Sequence, residues 1–288
     1  MCIRDSYDIH LKNGVIDILV ENETEAVDKA KQYLSYFQGT AKDWKSSDQE
    51  GLQSIIPANR KRVYDIREVI TTLFDTESVL ELRQWYGSGI LTCLARIEGI
   101  PVAVVANDPS IDAGAITHKA AIKMNEFLAF VNVHKLPIIS LVDTPGIMVG
   151  PQSEATGNVK HASRLFVAAA KLDVPLIGIV IRRAYGLGAM AMVGGSMHYP
   201  NSTLAWPSGE FGAMGLEGAV KLGFRKELEA VSDVEERNAL FDQMVALAYE
   251  RGKAMSMATH FEIDDVIQPK ETRKRIIQTL KSSTGKYE

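Results

Sequence analysis

Two hydrophobic rhythms alternate along this chain. Continuous apolar runs of strand length lie at Leu91–Ile97, Val102–Ala106, Ile138–Val142 and Pro175–Ile181, with a shorter one at Leu204–Pro207. Runs of that length and apolarity predict strands covered on both faces. Gly14–Val20 (GVIDILV) predicts a further strand. Between the runs the apolar spacing becomes helical. Thr117–His134 places Ala121, Met124, Phe127, Leu128 and Val131 on one face. Asn22-Glu23-Thr24-Glu25, followed by Ala26, Ala30, Tyr33 and Leu34, predicts a capped amphipathic helix. Asp65–Phe74, Ser78–Arg83 and Asn158–Lys171 also predict helices. Gly212–Phe224 predicts a turn and helix, and Glu227–Met257 one long charged helical region. Glu98-Gly99 predicts a hairpin turn. Strands and helices in alternation predict an α/β fold with a largely parallel sheet.

One stretch breaks the rhythm. Residues 38–63 are polar and irregular, with Gly39, Asp43, Ser46, Ser47, Gly51 and Pro57. They predict a linker over the surface. Three units follow: 1–37, a linker at 38–63, and a main domain at 64–288.

Composition narrows the function classes. Of 288 residues 46% are apolar, enough for a sizeable core. A net charge of −4 argues against a nucleic-acid partner. No apolar run reaches the roughly 20 residues that span a bilayer. Met1–Ser6 lacks the apolar centre of a signal peptide. Cys2 and Cys93 are the only cysteines, which predicts a reducing compartment. The expected location is the cytoplasm, or the mitochondrial matrix in a eukaryote. The six histidines show no paired helical spacing and there is no Cys-x-x-Cys, so no metal is expected.

The densest chemistry lies in Arg182–Met192 (RRAYGLGAMAM), where an apolar run meets a glycine-rich turn. A helix entered through such a turn directs backbone N–H groups outward, and these can hold a developing oxyanion. The same pattern also suits a tight βα turn whose glycines only permit close packing. Asp143-Thr144-Pro145-Gly146 is compatible with a GTPase switch segment, but the chain has no G-x-x-x-x-G-K-[ST] loop to go with it. No G-x-S-x-G elbow is present either. Backbone donors without an evident nucleophile, metal or base suit chemistry in which the enzyme stabilises an enolate and the cofactor handles the proton.

Asp143–Glu154 (DTPGIMVGPQSE), Gly157–Phe166 (GNVKHASRLF), Arg182–Met192, Leu204–Val220 (LAWPSGEFGAMGLEGAV) and the tail Phe261–Arg273 occur in that order. Together they resemble the C-terminal half of a biotin-dependent carboxyltransferase of the acyl-CoA carboxylase β subunit family. The resemblance covers about Tyr64–Leu280, and more weakly Gly14–Phe37.

That resemblance implies a crotonase-like spiral of ββα units. It makes 1–37 a remnant of the family's N-terminal domain and 64–288 its C-terminal domain. The implied reaction moves CO2 from carboxybiotin to the α-carbon of a short acyl-CoA, acetyl- or propionyl-CoA. Biotin would ride on a separate carrier protein or domain. Partners would be the biotin carboxylase and carrier subunit, the N-terminal carboxyltransferase half and further copies of the chain, with no membrane. The resemblance assigns the oxyanion hole to the backbone N–H groups of Leu187 and Gly188. It places Tyr185, Gly186, Ala189, Met214, Gly215 and Gly218 around the biotin ring. Many relatives read AYGGAY where this chain reads Ala184-Tyr185-Gly186-Leu187-Gly188-Ala189, so the glycine pattern is shifted. Met190 stands where acyl or biotin contacts are expected. The N-terminal domain is almost wholly absent and Met1–Ser6 matches no family pattern, which predicts a fragment or a split subunit. Two other readings stay open: a non-catalytic crotonase-like assembly module, and the carboxyltransferase of an acyl-CoA decarboxylase.

Overall fold

A computed structural model describes residues 6–60 and 62–284; Met1–Asp5 of the unmatched N-terminal segment lie outside them. The chain opens with helices α1 (Tyr7–Asn13), α2 (Glu23–Ser35), α3 (Leu52–Ile55) and α4 (Ile66–Leu73). Next come β1 (Leu80–Leu82), β2 (Ile90–Ile97), β3 (Ile100–Asn107), α5 (His118–Val133) and β4 (Ile138–Thr144). Then follow α6 (Pro151–Ala155), α7 (Asn158–Ala169), β5 (Leu176–Tyr185), α8 (Gly186–Met192), β6 (Ser202–Ala205) and β7 (Glu210–Gly212). The chain continues through α9 (Leu216–Gly223), α10 (Arg225–Ala230), α11 (Val234–Gly252), α12 (Ala254–Thr259), β8 (Asp265–Val266) and α13 (Thr272–Thr284).

The strands form one sheet in the order β1-β2-β3-β4-β5-β6-β8, with β7 paired to the end of β5. β1, β2 and β3 pair antiparallel, and every later pairing is parallel. The β2–β3 hairpin turns at Glu98-Gly99, both left-handed at φ 49° and 75°. Such a turn matches the twist of the strands it joins.

All eight residues of β3 are buried, which explains its unbroken apolar run. Ala103 and Val105 enter one core with α5, α7 and α8. Val102, Val104 and Ala106 enter a second core with α4 and α13. Successive side chains alternate faces, so the two cores lie on opposite sides of the sheet. The α5 face expected from the sequence is buried throughout, and the Thr117 hydroxyl caps the helix by accepting the Ala120 N–H at 3.3 Å.

Four expected elements differ. Gly14–Val20 is not a strand: Arg83 N–H donates to the Asp17 carbonyl at 2.8 Å, but no ladder follows. Within Ser78–Arg83, expected as helix, Leu80–Leu82 is β1, because Leu-Glu-Leu at period two buries both leucines against β2. β5 runs four residues past Ile181, since its last residues pair with β7. The long helix expected over Glu227–Met257 is three, with the Asp233 carboxylate capping α11 and extended Lys253 ending it. Residues 38–60 are mostly exposed, yet Leu52 within them is fully buried in the second core.

Candidate active site

The segments that follow β4, β5 and β7 meet at one place. Their meeting depends on a buried ionic clamp. Asp143 is the penultimate residue of β4, with its side chain wholly buried. Its Oδ2 accepts from Arg182 Nε at 3.0 Å and from the Tyr64 hydroxyl at 2.9 Å. Its Oδ1 accepts from Arg183 Nε at 2.7 Å and from the Arg183 backbone N–H at 3.1 Å. Arg182 also donates to the carbonyls of Arg60 and Arg62, at 3.0 and 2.8 Å, which fastens the connecting segment. Burial, reinforced by the Asp143 charge, pushes the Tyr64 hydroxyl well above its ordinary pKa. One carboxylate thus answers two guanidinium groups where the β4–β5 register shifts, between the Val142–Val180 and Thr144–Ala184 pairs.

Gly146 and the first turn of α8 are pressed together above the clamp. A Cβ on Gly188 would lie 2.5 Å from the Gly146 carbonyl carbon. Gly186, which starts α8, is left-handed at φ 56°, and its Cβ would meet the Ala213 carbonyl oxygen at 2.6 Å. Both positions therefore require glycine. The first turn of a helix leaves its N–H groups without intrahelical acceptors. No side chain caps α8 at Tyr185. A backbone donor set of this kind is what an oxyanion needs.

The expected residues occupy different surroundings. Tyr185 is buried and its hydroxyl donates to Glu210 Oε2 at 3.0 Å. Burial and the Glu210 charge raise its pKa. The Leu187 side chain is 60% exposed, so it leaves the turn open. Gly186 and Gly188 sit at the meeting point, whereas the Ala189 methyl faces the core. Met214 is exposed after β7. A Cβ at Gly215 would meet nothing within 4 Å, and one at Gly218 only the tip of Met214 at 3.4 Å. Those two glycines border open space. Met190 joins Gly186, Ala213, Met197 and Met257 in lining an apolar cleft of about 750 Å³ between α8, β7, α11 and α12.

Sequence reasoning missed a second polar cluster on the other side of the turn. Arg60 stacks 3.4 Å from the centre of the Tyr249 ring and lies 3.9 Å from both Glu210 and Glu217. The Tyr249 hydroxyl donates to Glu217 Oε1 at 2.9 Å. The clamp had a legible sign, an acid closing one apolar run and two arginines closing another. Arg60 had none, since it lies in the segment expected as a linker.

The carboxyl transferase domain family matches residues 7–288, and the chain belongs to that family. It is 32% identical to the methylmalonyl-CoA carboxyltransferase 12S subunit of Propionibacterium freudenreichii subsp. shermanii, over 93% of this chain and 52% of that one. It is 28% identical to the methylmalonyl-CoA decarboxylase subunit alpha of Veillonella parvula, over 96% of this chain and 54% of that one. The chain therefore spans about half the length of these relatives. Among solved structures it resembles a single-chain, multi-domain long-chain acyl-CoA carboxylase, at 47% identity and a TM-score of 0.87, over 94% of this chain and 27% of that one. The fold is crotonase-like, as the sequence predicted. No helix among the described residues is long and apolar enough to cross a membrane.

Proposed function

We propose that this chain is the biotin-receiving half of a carboxyltransferase that moves a carboxyl group between carboxybiotin and the α-carbon of an acyl-CoA. The observation that carries the reading is the uncapped first turn of α8, held against Gly146 and Ala213 in a member of the carboxyl transferase family. In this reading the N–H groups of Leu187 and Gly188 hold negative charge on an oxygen of the reacting group. Tyr185, Gly186, Ala189, Met214, Gly215 and Gly218 form or support the surroundings of the ring. Among them, exposed Met214 and the open glycines are the ones able to touch it. The clamp holds the donors still, and a donor set already in place needs no reorganisation during reaction. Carboxybiotin, delivered by a separate carrier, supplies the carboxyl group and a ring nitrogen able to take the α-proton.

The domain division follows the same reading: 1–37 closes a preceding domain, 38–63 connects, and 64–288 is the biotin-side domain. The CoA would be held by an N-terminal half, in an assembly with further copies. Acetyl- or propionyl-CoA is the substrate that the resemblance implies, and the methylmalonyl-CoA relatives support it for propionyl-CoA. The 47% identity to a long-chain acyl-CoA carboxylase, with the apolar cleft beside Gly186, favours a second reading with a longer acyl chain. The test is carboxyl transfer by the intact protein with its biotin carrier, comparing acetyl-, propionyl- and palmitoyl-CoA, and methylmalonyl-CoA in the reverse direction. Turnover fastest with one chain length decides between the substrate readings. Folded, assembled protein that turns over none of them removes the proposal.

A further inference from the structure

A second cavity lies on the α5 side of the sheet, below α2 and the extended segment before it. It measures about 530 Å³, and its lining includes Leu82, Thr92, Lys123, Phe127, Phe130 and Tyr33. That volume is in the range of small-molecule sites, roughly 300–1,000 Å³. Its floor is buried and its mouth is polar. Leu82, Thr92, Lys123 and Phe127 are all buried, whereas Asp17 and Glu126 at the mouth are exposed.

Lys123 is the unusual group. It is 1% exposed, and its ammonium donates to the Ile90 carbonyl at 2.8 Å. It forms no ion pair among the described residues. Each nearby carboxylate is committed elsewhere. Arg67 holds both oxygens of Glu81, at 2.9 and 2.8 Å. Arg83 pairs with both Asp17 and Glu126. A charge buried without a counter-ion is strongly unfavourable. The fold pairs its other deeply buried cations, Arg182 with Asp143 and Arg273 with Asp75. Burial lowers the Lys123 ammonium only to about 8, so it remains charged at neutral pH.

A cation on the floor and apolar walls around it define the complement of one chemistry: an anion at the end of an apolar chain. We propose that this cavity binds an amphipathic carboxylate of the medium-chain fatty acid class, its carboxylate on Lys123 and its tail along Phe127, Phe130 and Tyr33. Thr92 cannot also donate to such a ligand while its hydroxyl holds the Leu82 carbonyl, at 3.0 Å. The proposal is independent of the carboxyltransferase reading, because no residue of the α8 turn lines this cavity.

The test is a titration of the intact protein, with its partner chains, by a dansyl-labelled medium-chain fatty acid, followed by displacement with decanoate, decanol and acetate. Decanoate is expected to displace the probe at least tenfold more effectively than decanol, and acetate not at all. Lys123→Met should weaken probe binding at least tenfold. Ala30→Trp fills the mouth and leaves the ammonium in place, and should do the same. Melting curves establish that each variant folds; if Lys123→Met does not, Ala30→Trp decides. Absence of saturable binding overturns the proposal, as does equal displacement by decanol or binding unmoved by the folded variants.

Discussion

The clamp below the α8 turn and the cavity below α2 both bury charge, and they treat it in opposite ways. At the clamp, the Asp143 carboxylate has two guanidinium partners, a tyrosine hydroxyl and a backbone N–H. In the cavity, the Lys123 ammonium has a carbonyl and no counter-ion. A buried carboxylate whose counter-charges are in place fixes one geometry, whereas a buried charge without a counter-ion leaves an electrostatic demand open. The first suits a place where backbone donors must be held still. The second suits a place that something else completes. The difference shows that burial of a charge is not itself a sign of structural or of functional duty; the partners decide.

The largest expected effect is at the clamp. Asp143→Ala leaves Arg182 buried without its counter-charge, and breaking a buried pair in this way destabilises by about 3–5 kcal/mol. Chemical denaturation of variant and parent measures it. A loss below about 1 kcal/mol would mean that the carboxylate does not hold these strands together, and the contrast with Lys123 would collapse.

Next comes the turn that the clamp supports. Leu187→Pro removes one backbone N–H, while Leu187→Ala keeps it and trims an exposed side chain. If Leu187 and Gly188 act through backbone, the alanine variant keeps most of its biotin-dependent activity. The proline variant loses at least about two orders of magnitude, in line with the roughly 3–4 kcal/mol of one oxyanion donor. Circular dichroism and melting of both variants must first show a native fold. A folded proline variant turning over at the parent rate would leave these glycines with a packing role only.

A smaller effect separates the unpaired charge from the paired ones. Burial lowers the Lys123 ammonium from 10.5 to about 8, with the Glu81 charge opposing. Between those values the unfolded chain holds a proton that the folded chain has released, so stability rises with pH across that window. The gain at its top is up to about 3 kcal/mol. Lys123→Met has no such group. The stability of the parent relative to this variant should therefore improve from pH 7 to pH 10, in paired melts at each pH. A gap that stays constant would show that the ammonium is not desolvated as the geometry implies.

Much of this was legible in the chain, for identifiable reasons. The buried strands and α5 declared themselves because packing on both faces demands unbroken apolar runs or a strict helical face. The glycine turn was legible because Gly186 and Gly188 stand where two backbones touch. β1 was misread because three residues carry too little periodicity to separate strand from helix. Gly14–Val20 reads as a strand by pattern, but a strand needs a partner, and pairing is not a local property. The clamp left a partial sign, an acid and two arginines closing apolar runs, but the pairing of Tyr64 and Arg182 with Asp143 is not local. The Lys123 cavity left none, because a lysine among apolar residues on a helix looks like any surface lysine.

The smallest effect belongs to a region with no buried charge, and serves as the control. Gly252 is the only buried residue of α11, and α9 to α11 expose Leu222 at 69%, Val234 at 56% and Leu247 at 50%. Exposed apolar side chains add little to the fold they sit on, but a group of them suits contact with another chain. Leu222→Ser should change stability by no more than about 0.5 kcal/mol. Leu222→Ser combined with Leu247→Ser should instead reduce self-association, read by light scattering at micromolar concentration. If the double variant associates as the parent does, this face is not where copies meet. If Leu222→Ser destabilises as strongly as Asp143→Ala, α9 to α11 are part of the packed core, and the contrast between paired, unpaired and absent buried charge no longer explains where the fold draws its stability.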